Sequence, residues 1–126
     1  MKDGVTFDTG ALIALERRSA RARKILERAT ELKIRIHVPS AVITEWWRGR
    51  SDRRDDILLA LRIEPLSERL SKLAGEALAS GRGATAIDAI VMAAAAQRGD
   101  IVYTSDVEDL QRLAAYFRAV RVLGIG

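Results

Sequence analysis

Short apolar runs alternate with longer stretches of helical periodicity along the whole chain. Gly4-Val5-Thr6-Phe7-Asp8 reads as a first strand that ends in an acid, and residues 9–18 predict a helical turn or two with Leu12, Ile13 and Leu15 inward. Residues 19–32 predict a second helix, capped by Ser19, with Ile25, Leu26, Ala29 and Leu32 on its apolar face. Ile34-Arg35-Ile36-His37-Val38 alternates like a strand, and Pro39-Ser40 opens a helix to about residue 48. Ser51 begins another helix with Ile57, Leu58, Leu59 and Leu61 inward, followed by a short strand over 63–66. Residues 67–80 predict a helix with Leu70, Leu73, Ala74, Ala77 and Leu78 toward the core, and Gly81-Arg82-Gly83 a break. A helix over 85–98, a strand over 101–104, a helix over 107–117 and a strand over 120–123 complete the pattern. Strands separated by helices pair in parallel and carry helices on both faces. The expectation is a three-layer α/β domain of about five parallel strands, with its ligand site at their carboxyl ends.

A chain of 126 residues fits one domain, 1–126, and 48% apolar residues supply its core. Cysteine is absent and His37 is the lone histidine, which excludes disulfides, thiolate zinc sites and multi-histidine metal sites. A bound metal would be held by oxygen, which points to Mg²⁺ or Mn²⁺. Lysine and arginine number 21 against 17 acids, a net charge of +4, and the cations are mostly arginine. That balance leans toward a polyanionic partner such as nucleic acid, or an acidic one. Met1 to Gly10 carries Lys2, Asp3 and Asp8 rather than a leader-like apolar run. The most apolar stretch, 84–96, is too short to span a bilayer and contains Asp88. A soluble, cytoplasmic protein with no membrane partner is expected.

Four acids stand out. Asp8 ends the first strand and Asp106 follows the strand over 101–104, so both belong at the carboxyl edge. Each also has a plain structural reading as the cap of the next helix, with Asp109 as the reciprocal acid for Asp106. Asp88 lies in an otherwise apolar helix, where an ionised carboxylate is costly unless paired or metal-bound. Thr85, three residues earlier, offers a capping box instead, and the two roles are compatible. Glu45 sits in the helix that starts at the end of the second predicted strand and precedes Trp46 and Trp47. Four carboxylates at one edge repel each other unless a cation neutralises them. An acid-held divalent ion activates water and steadies charge in phosphodiester cleavage. On a basic domain this reads as a metal-dependent nuclease.

The segments Phe7-Asp8-Thr9-Gly10-Ala11-Leu12-Ile13-Ala14-Leu15, Ile43-Thr44-Glu45, Ala86-Ile87-Asp88-Ala89-Ile90-Val91 and Tyr103-Thr104-Ser105-Asp106-Val107-Glu108-Asp109-Leu110 resemble the PIN domain family. Within it they look like the small VapC-type toxins of toxin–antitoxin pairs, and their order and spacing cover the chain. The resemblance implies strand order 3-2-1-4-5 and Mg²⁺-dependent cleavage of single-stranded RNA, with Mn²⁺ the other candidate ion. It also implies a homodimer neutralised by a cognate VapB-type antitoxin. Carried over by position, the acidic site is Asp8, Glu45, Asp88 and Asp106, with Asp8 and Asp88 foremost for the ion. Thr9 and Thr104 or Ser105 become hydroxyls that orient acids and waters. Asp109 fits an outer role or a helix cap. The tandem Trp46-Trp47 departs from the family pattern.

Two other readings remain open at this point: a housekeeping PIN nuclease of RNA maturation, and a catalytically inactive binding module. A phosphoacceptor receiver is disfavoured, because Phe7-Asp8-Thr9 lacks the paired acids it needs. Arg17, Arg18, Arg21, Arg23, Lys24 and Arg28 form a basic run that suits a solvated helix face, RNA phosphates or an acidic antitoxin segment. His37, in a strand, reads as a structural or surface residue.

Overall fold

The computed structural model describes residues 4–80 and 83–125, so the break expected at 81–83 lies, apart from Gly83, outside the described residues. The elements in chain order are β1 (Val5–Phe7), α1 (Thr9–Glu16), α2 (Ala20–Glu31), β2 (Ile36–Pro39), α3 (Ser40–Trp46) and α4 (Asp52–Leu59). They continue as β3 (Arg62–Glu64), α5 (Glu68–Ser80), α6 (Ala86–Arg98), β4 (Ile101–Thr104), α7 (Val107–Gln111) and β5 (Arg121–Gly124). All strand pairs are parallel and the order is β3-β2-β1-β4-β5. The chain winds from β1 outward to β2 and β3, then returns to place β4 on the other side of β1. With right-handed crossovers, that reversal puts α1–α4 on one face and α5–α7 on the other. The switch point lies between β1 and β4.

The core forms where the apolar periods predicted it. Phe7, Leu12, Val38, Val42, Val91 and Met92 are fully enclosed, and α6 is buried from Ala89 to Ala95. Several expectations need correction. The second strand runs over Ile36–Pro39, because Ile34 donates its N–H back to Ala29 and belongs to the turn after α2. The third strand ends at Glu64, one residue before Pro65, which has no N–H to give a ladder. α3 stops at Trp46, and the last helix is regular only to Gln111. Beyond it, short i to i+3 bonds such as Leu113 N–H to the Leu110 carbonyl carry the chain, while Leu113 and Phe117 stay buried. Periodicity places Leu32 and Leu59 inward, yet both are exposed, Leu59 at 86%. Three consecutive apolar residues in α4 cannot share one helix face, and Ile57 takes it.

A buried polar network ties α6 to the sheet. Asp100, 3% exposed, accepts from the Thr6 hydroxyl at 2.7 Å and from Arg98 Nε at 2.9 Å. Arg98 also donates from Nη2 to the Thr6 hydroxyl oxygen at 3.0 Å and pairs through Nη1 with Glu64. Gly99 makes the link possible: it turns the chain at φ 74° in the left-handed region between the helix and Asp100. His37 Nδ1 lies 3.9 Å from Asp100, and burial followed by the Arg98 charge holds its pKa below the usual imidazole value. The residue is structural, as its strand position implied.

Removing Asp100 takes one of two carboxylate partners from the half-buried Arg98 and the acceptor from the Thr6 hydroxyl. Asp100→Ala is expected to destabilise the fold by about 1–3 kcal/mol. Urea unfolding of the variant beside wild type measures this, and a loss within 1 kcal/mol (about fivefold in the folding equilibrium) contradicts it.

Candidate functional site

The acids singled out in the sequence meet at the switch point. Asp8 follows β1 directly and caps α1, accepting the Ala11 N–H at 2.9 Å. Its own N–H reaches the Tyr103 carbonyl of β4 at 3.4 Å. Asp106 caps α7 and accepts the Asp109 N–H at 3.4 Å. Asp88 stands in the first turn of α6, its N–H donated to the Thr85 hydroxyl at 3.1 Å. Glu45 comes from the last turn of α3, and its Oε1 accepts the Thr9 hydroxyl at 2.5 Å. All four, with Asp109, Thr9, Gly10, Thr85, Thr104 and Ser105, line one cavity of about 220 Å³. The capping roles of Asp8 and Asp106 are therefore real, and both capping side chains also line the cavity.

Among the described residues no basic side chain lines this cavity, and apart from Asp109, which pairs with Arg112 at 3.6 Å, its carboxylates act on one another. Burial raises the pKa of Asp8 above the usual carboxylate value, and the Asp88 charge raises it further. The Thr104 hydroxyl, then the Ala11 and Gly10 N–H groups, hold it down in part. Burial also raises Asp88, with the charges of Asp109 and Glu45 adding to it, while hydrogen bonds from Thr85 oppose the rise. Asp109 is raised first by its hydrogen bond with Asp106. Thr104, 1% exposed, also accepts the Asp106 N–H at 3.0 Å, so one hydroxyl bridges the acids that follow β1 and β4.

Among the described residues, no group of three or more acids or histidines is gathered closely enough to ligate one metal ion as it stands. The donor set nonetheless fits a hard cation: every polar group is oxygen and the carboxylates are mutually repulsive. Mg²⁺ commonly keeps several waters and takes only one or two protein carboxylates, so a closed cage is not required.

Two lining residues were not among the expected site residues. Thr85 was read only as a cap, although the pattern that marks a capping box also locates it beside Asp88. Gly10 carries no chemistry but permits the site. A Cβ there would overlap the Ser105 hydroxyl and stand 3.1 Å from the Ser105 N, so the loop after β4 approaches α1 only because residue 10 is glycine. Trp46 is a core residue, 3% exposed, with Nε1 donating to Glu16 at 2.9 Å; Trp47 packs edge-on against it.

A doubly wound parallel sheet with a carboxylate-lined cavity at its switch point is an α/β architecture built to present acids at one edge. The PIN domain family model matches residues 5–116, and the chain belongs to that family. No curated protein gives a significant sequence match. The fold resembles DNA-bound VapBC from Salmonella typhimurium, at TM-score 0.74 and 14% identity over 99% of this chain and 100% of that one. It resembles a toxin–antitoxin complex from Klebsiella pneumoniae at TM-score 0.73 and 19% identity, covering 95% and 96% of the two chains. VapC20 of Mycobacterium tuberculosis, described as a sarcin–ricin loop cleaving toxin, aligns at TM-score 0.67 and 22% identity over 94% and 99%.

The raised acids set the sign of a pH effect. Folded Asp8 and Asp88 keep protons that the unfolded chain has already lost, so metal-free stability falls as pH rises from the ordinary carboxylate range through their folded values. Asn caps a helix as well as Asp does. Asp8→Asn is therefore expected to flatten this fall in chelator, with thermal melts across pH as the measurement; an unchanged slope removes Asp8 from the repulsion. Gly10→Ala is expected to lower stability by about 1–3 kcal/mol by overpacking against Ser105. Denaturant melts of this variant would contradict the close approach if they matched wild type.

Proposed function

We propose that this PIN domain is the toxin of a VapBC-type pair, an endoribonuclease dependent on Mg²⁺ or Mn²⁺. The observation that carries the reading is the pair Asp8 and Asp88, each raised by burial and repelling across one cavity whose described lining is all oxygen donors with no basic side chain. These two would hold the ion, with Glu45 and Asp106 completing the acidic site. When bound, a divalent ion there supplies an activated water and neutralises charge that develops on a phosphodiester. The chain's own groups prepare the site. Thr104 hydrogen-bonds the Asp8 carboxylate and favours its charged form, and the Thr9 hydroxyl fixes Glu45. Thr85 does for Asp88 what Thr104 does for Asp8. Ser105 keeps the loop after β4 against Gly10, and Asp109 adds a fifth carboxylate.

Similar structures include VapBC assemblies and a toxin that cleaves the sarcin–ricin loop, which supports RNA as substrate and a VapB-type antitoxin as partner. A homodimer belongs to the same reading. No helix among the described residues is long and apolar enough to cross a membrane.

Asp88→Asn keeps size and part of the capping interaction but removes the charge. Outer-shell changes at metal sites already cost about 10–100-fold, so this variant should lose about 100-fold or more of RNA cleavage in Mg²⁺. Its far-ultraviolet circular dichroism should match wild type, and millimolar Mg²⁺ should raise its melting temperature less than that of wild type. Undiminished cleavage would leave Asp88 a capping residue and nothing else.

A further inference from the structure

A second cavity, of about 630 Å³, continues from the acidic one through the two residues they share, Thr9 and Glu45. It runs as a trough between α1 and the segment from α3 to α4, and Ile13 and Trp46 contribute its apolar part. Thr9, Ile13, Glu16 and Arg17 fall on one stripe of α1, so the trough follows that helix for roughly 12 Å from the acids. Its far part is charged. Glu16 is satisfied internally: Oε1 accepts from Trp46 Nε1 and Oε2 from Arg54 Nη2, both at 2.9 Å. That pairing offsets Arg54, and of the remaining lining charges Arg17 and Arg48 outnumber Glu45, which sits at the end shared with the acids. Arg48 is anchored by its Nε to the Glu45 carbonyl at 3.1 Å, and Arg17 has no ion-pair partner among the described residues.

A strand with one phosphodiester at the acids must run its neighbouring nucleotides along the surface. The trough is the path that begins at the same two side chains. It pairs an apolar floor with two guanidinium groups, the group best matched to phosphate oxygens. We propose that this trough is the substrate subsite for the single-stranded RNA flanking the cleaved bond, with Arg17 and Arg48 contacting backbone phosphate. Glu16, held by Arg54 and Trp46, is the positioning residue that shapes the trough without contacting the reacting atoms. The proposal rests on the nuclease reading above and adds to it the residues that grip the substrate.

The test uses the full chain in Mg²⁺ and a short labelled single-stranded RNA, with binding and initial rates measured over a range of KCl concentrations. Each phosphate contact on a single strand contributes about 0.7 to the slope of log affinity against log salt. The double variant Arg17→Gln, Arg48→Gln should therefore lose about 1.4 from that slope. It should raise KM about tenfold or more while kcat stays within a few-fold. The control Arg35→Gln, Arg118→Gln removes the same net charge from exposed positions outside the trough and should leave the slope within 0.3 of wild type, under half of one contact. Equal shifts in the two double variants would mean that net charge alone guides RNA and would overturn the proposal. So would a trough variant that binds and cuts RNA as wild type does but escapes inhibition by the purified antitoxin, since the trough would then be an antitoxin surface. Asp88→Asn in the same assay separates the two levels. If it still cleaves, the nuclease site itself is wrong; if it is inactive and the trough variant is unchanged, only the subsite fails.

Discussion

Because all five strands point the same way, every helix that follows a strand begins at the same edge. A helix start leaves its first N–H groups without intrahelical partners, and those groups want an oxygen. At α1 and α7, which follow β1 and β4, the oxygens are the carboxylates of Asp8 and Asp106; α6, which follows α5, is capped by the Thr85 hydroxyl with Asp88 in its first turn. Parallel pairing thus gathers the helix starts, and the caps gather the charge. Two of the acids that line the cavity, Asp8 and Asp106, are ordinary caps placed at a switch point, and Glu45 joins them from the last turn of α3. A capping reading and a chemical reading of these residues are two descriptions of one arrangement.

The arrangement divides the molecule electrically. At the carboxyl edge, five carboxylates face a cavity with no basic side chain among its described lining residues, and of the five Asp109 alone has an ion-pair partner among the described residues, Arg112. On the α6 face, the acids Asp100 and Glu64 are tied to Arg98, and Thr6 closes the set. One set is neutralised by the protein and holds α6 to the sheet. The other, apart from Asp109, has no such partner among the described residues. The same fold tolerates both because the first is internal and the second opens to solvent through exposed residues such as Ser105 and Asp106.

How much of this was legible from sequence depended on whether the signal was local. Strand order, the enclosed face of α6 and the meeting of Asp8, Glu45, Asp88 and Asp106 rest on motifs with fixed spacing, and these read correctly. Boundaries read less well where a stop signal was unusual. Arg18 and Lys33 end the first two helices in the left-handed region at φ 60° and 58°, positions where glycine is the usual marker. The last helix breaks into short turns with no proline or glycine to announce it. The Arg98–Asp100–Thr6–Glu64 set was invisible because its members are scattered through the chain and none belongs to a motif. For the same reason Trp46 could not be assigned until its partner, Glu16 in another helix, was located.

The central ladder joins β1 to β4, and its polar brace spans 94 positions between Thr6 and Asp100. Contacts so far apart along a chain form only after the long loop between them has closed, and such closures are slow. The pairing of β1 with β2 needs a much shorter loop and can precede it. A chain arrested between those two events would own a sheet fragment, two capped helices and Asp8, but neither the loop after β4 nor Asp106 beside it. The acidic cavity therefore depends on the longest-range pairing of the sheet: without β4 beside β1, Asp8 lacks the loop that carries Ser105 and Asp106.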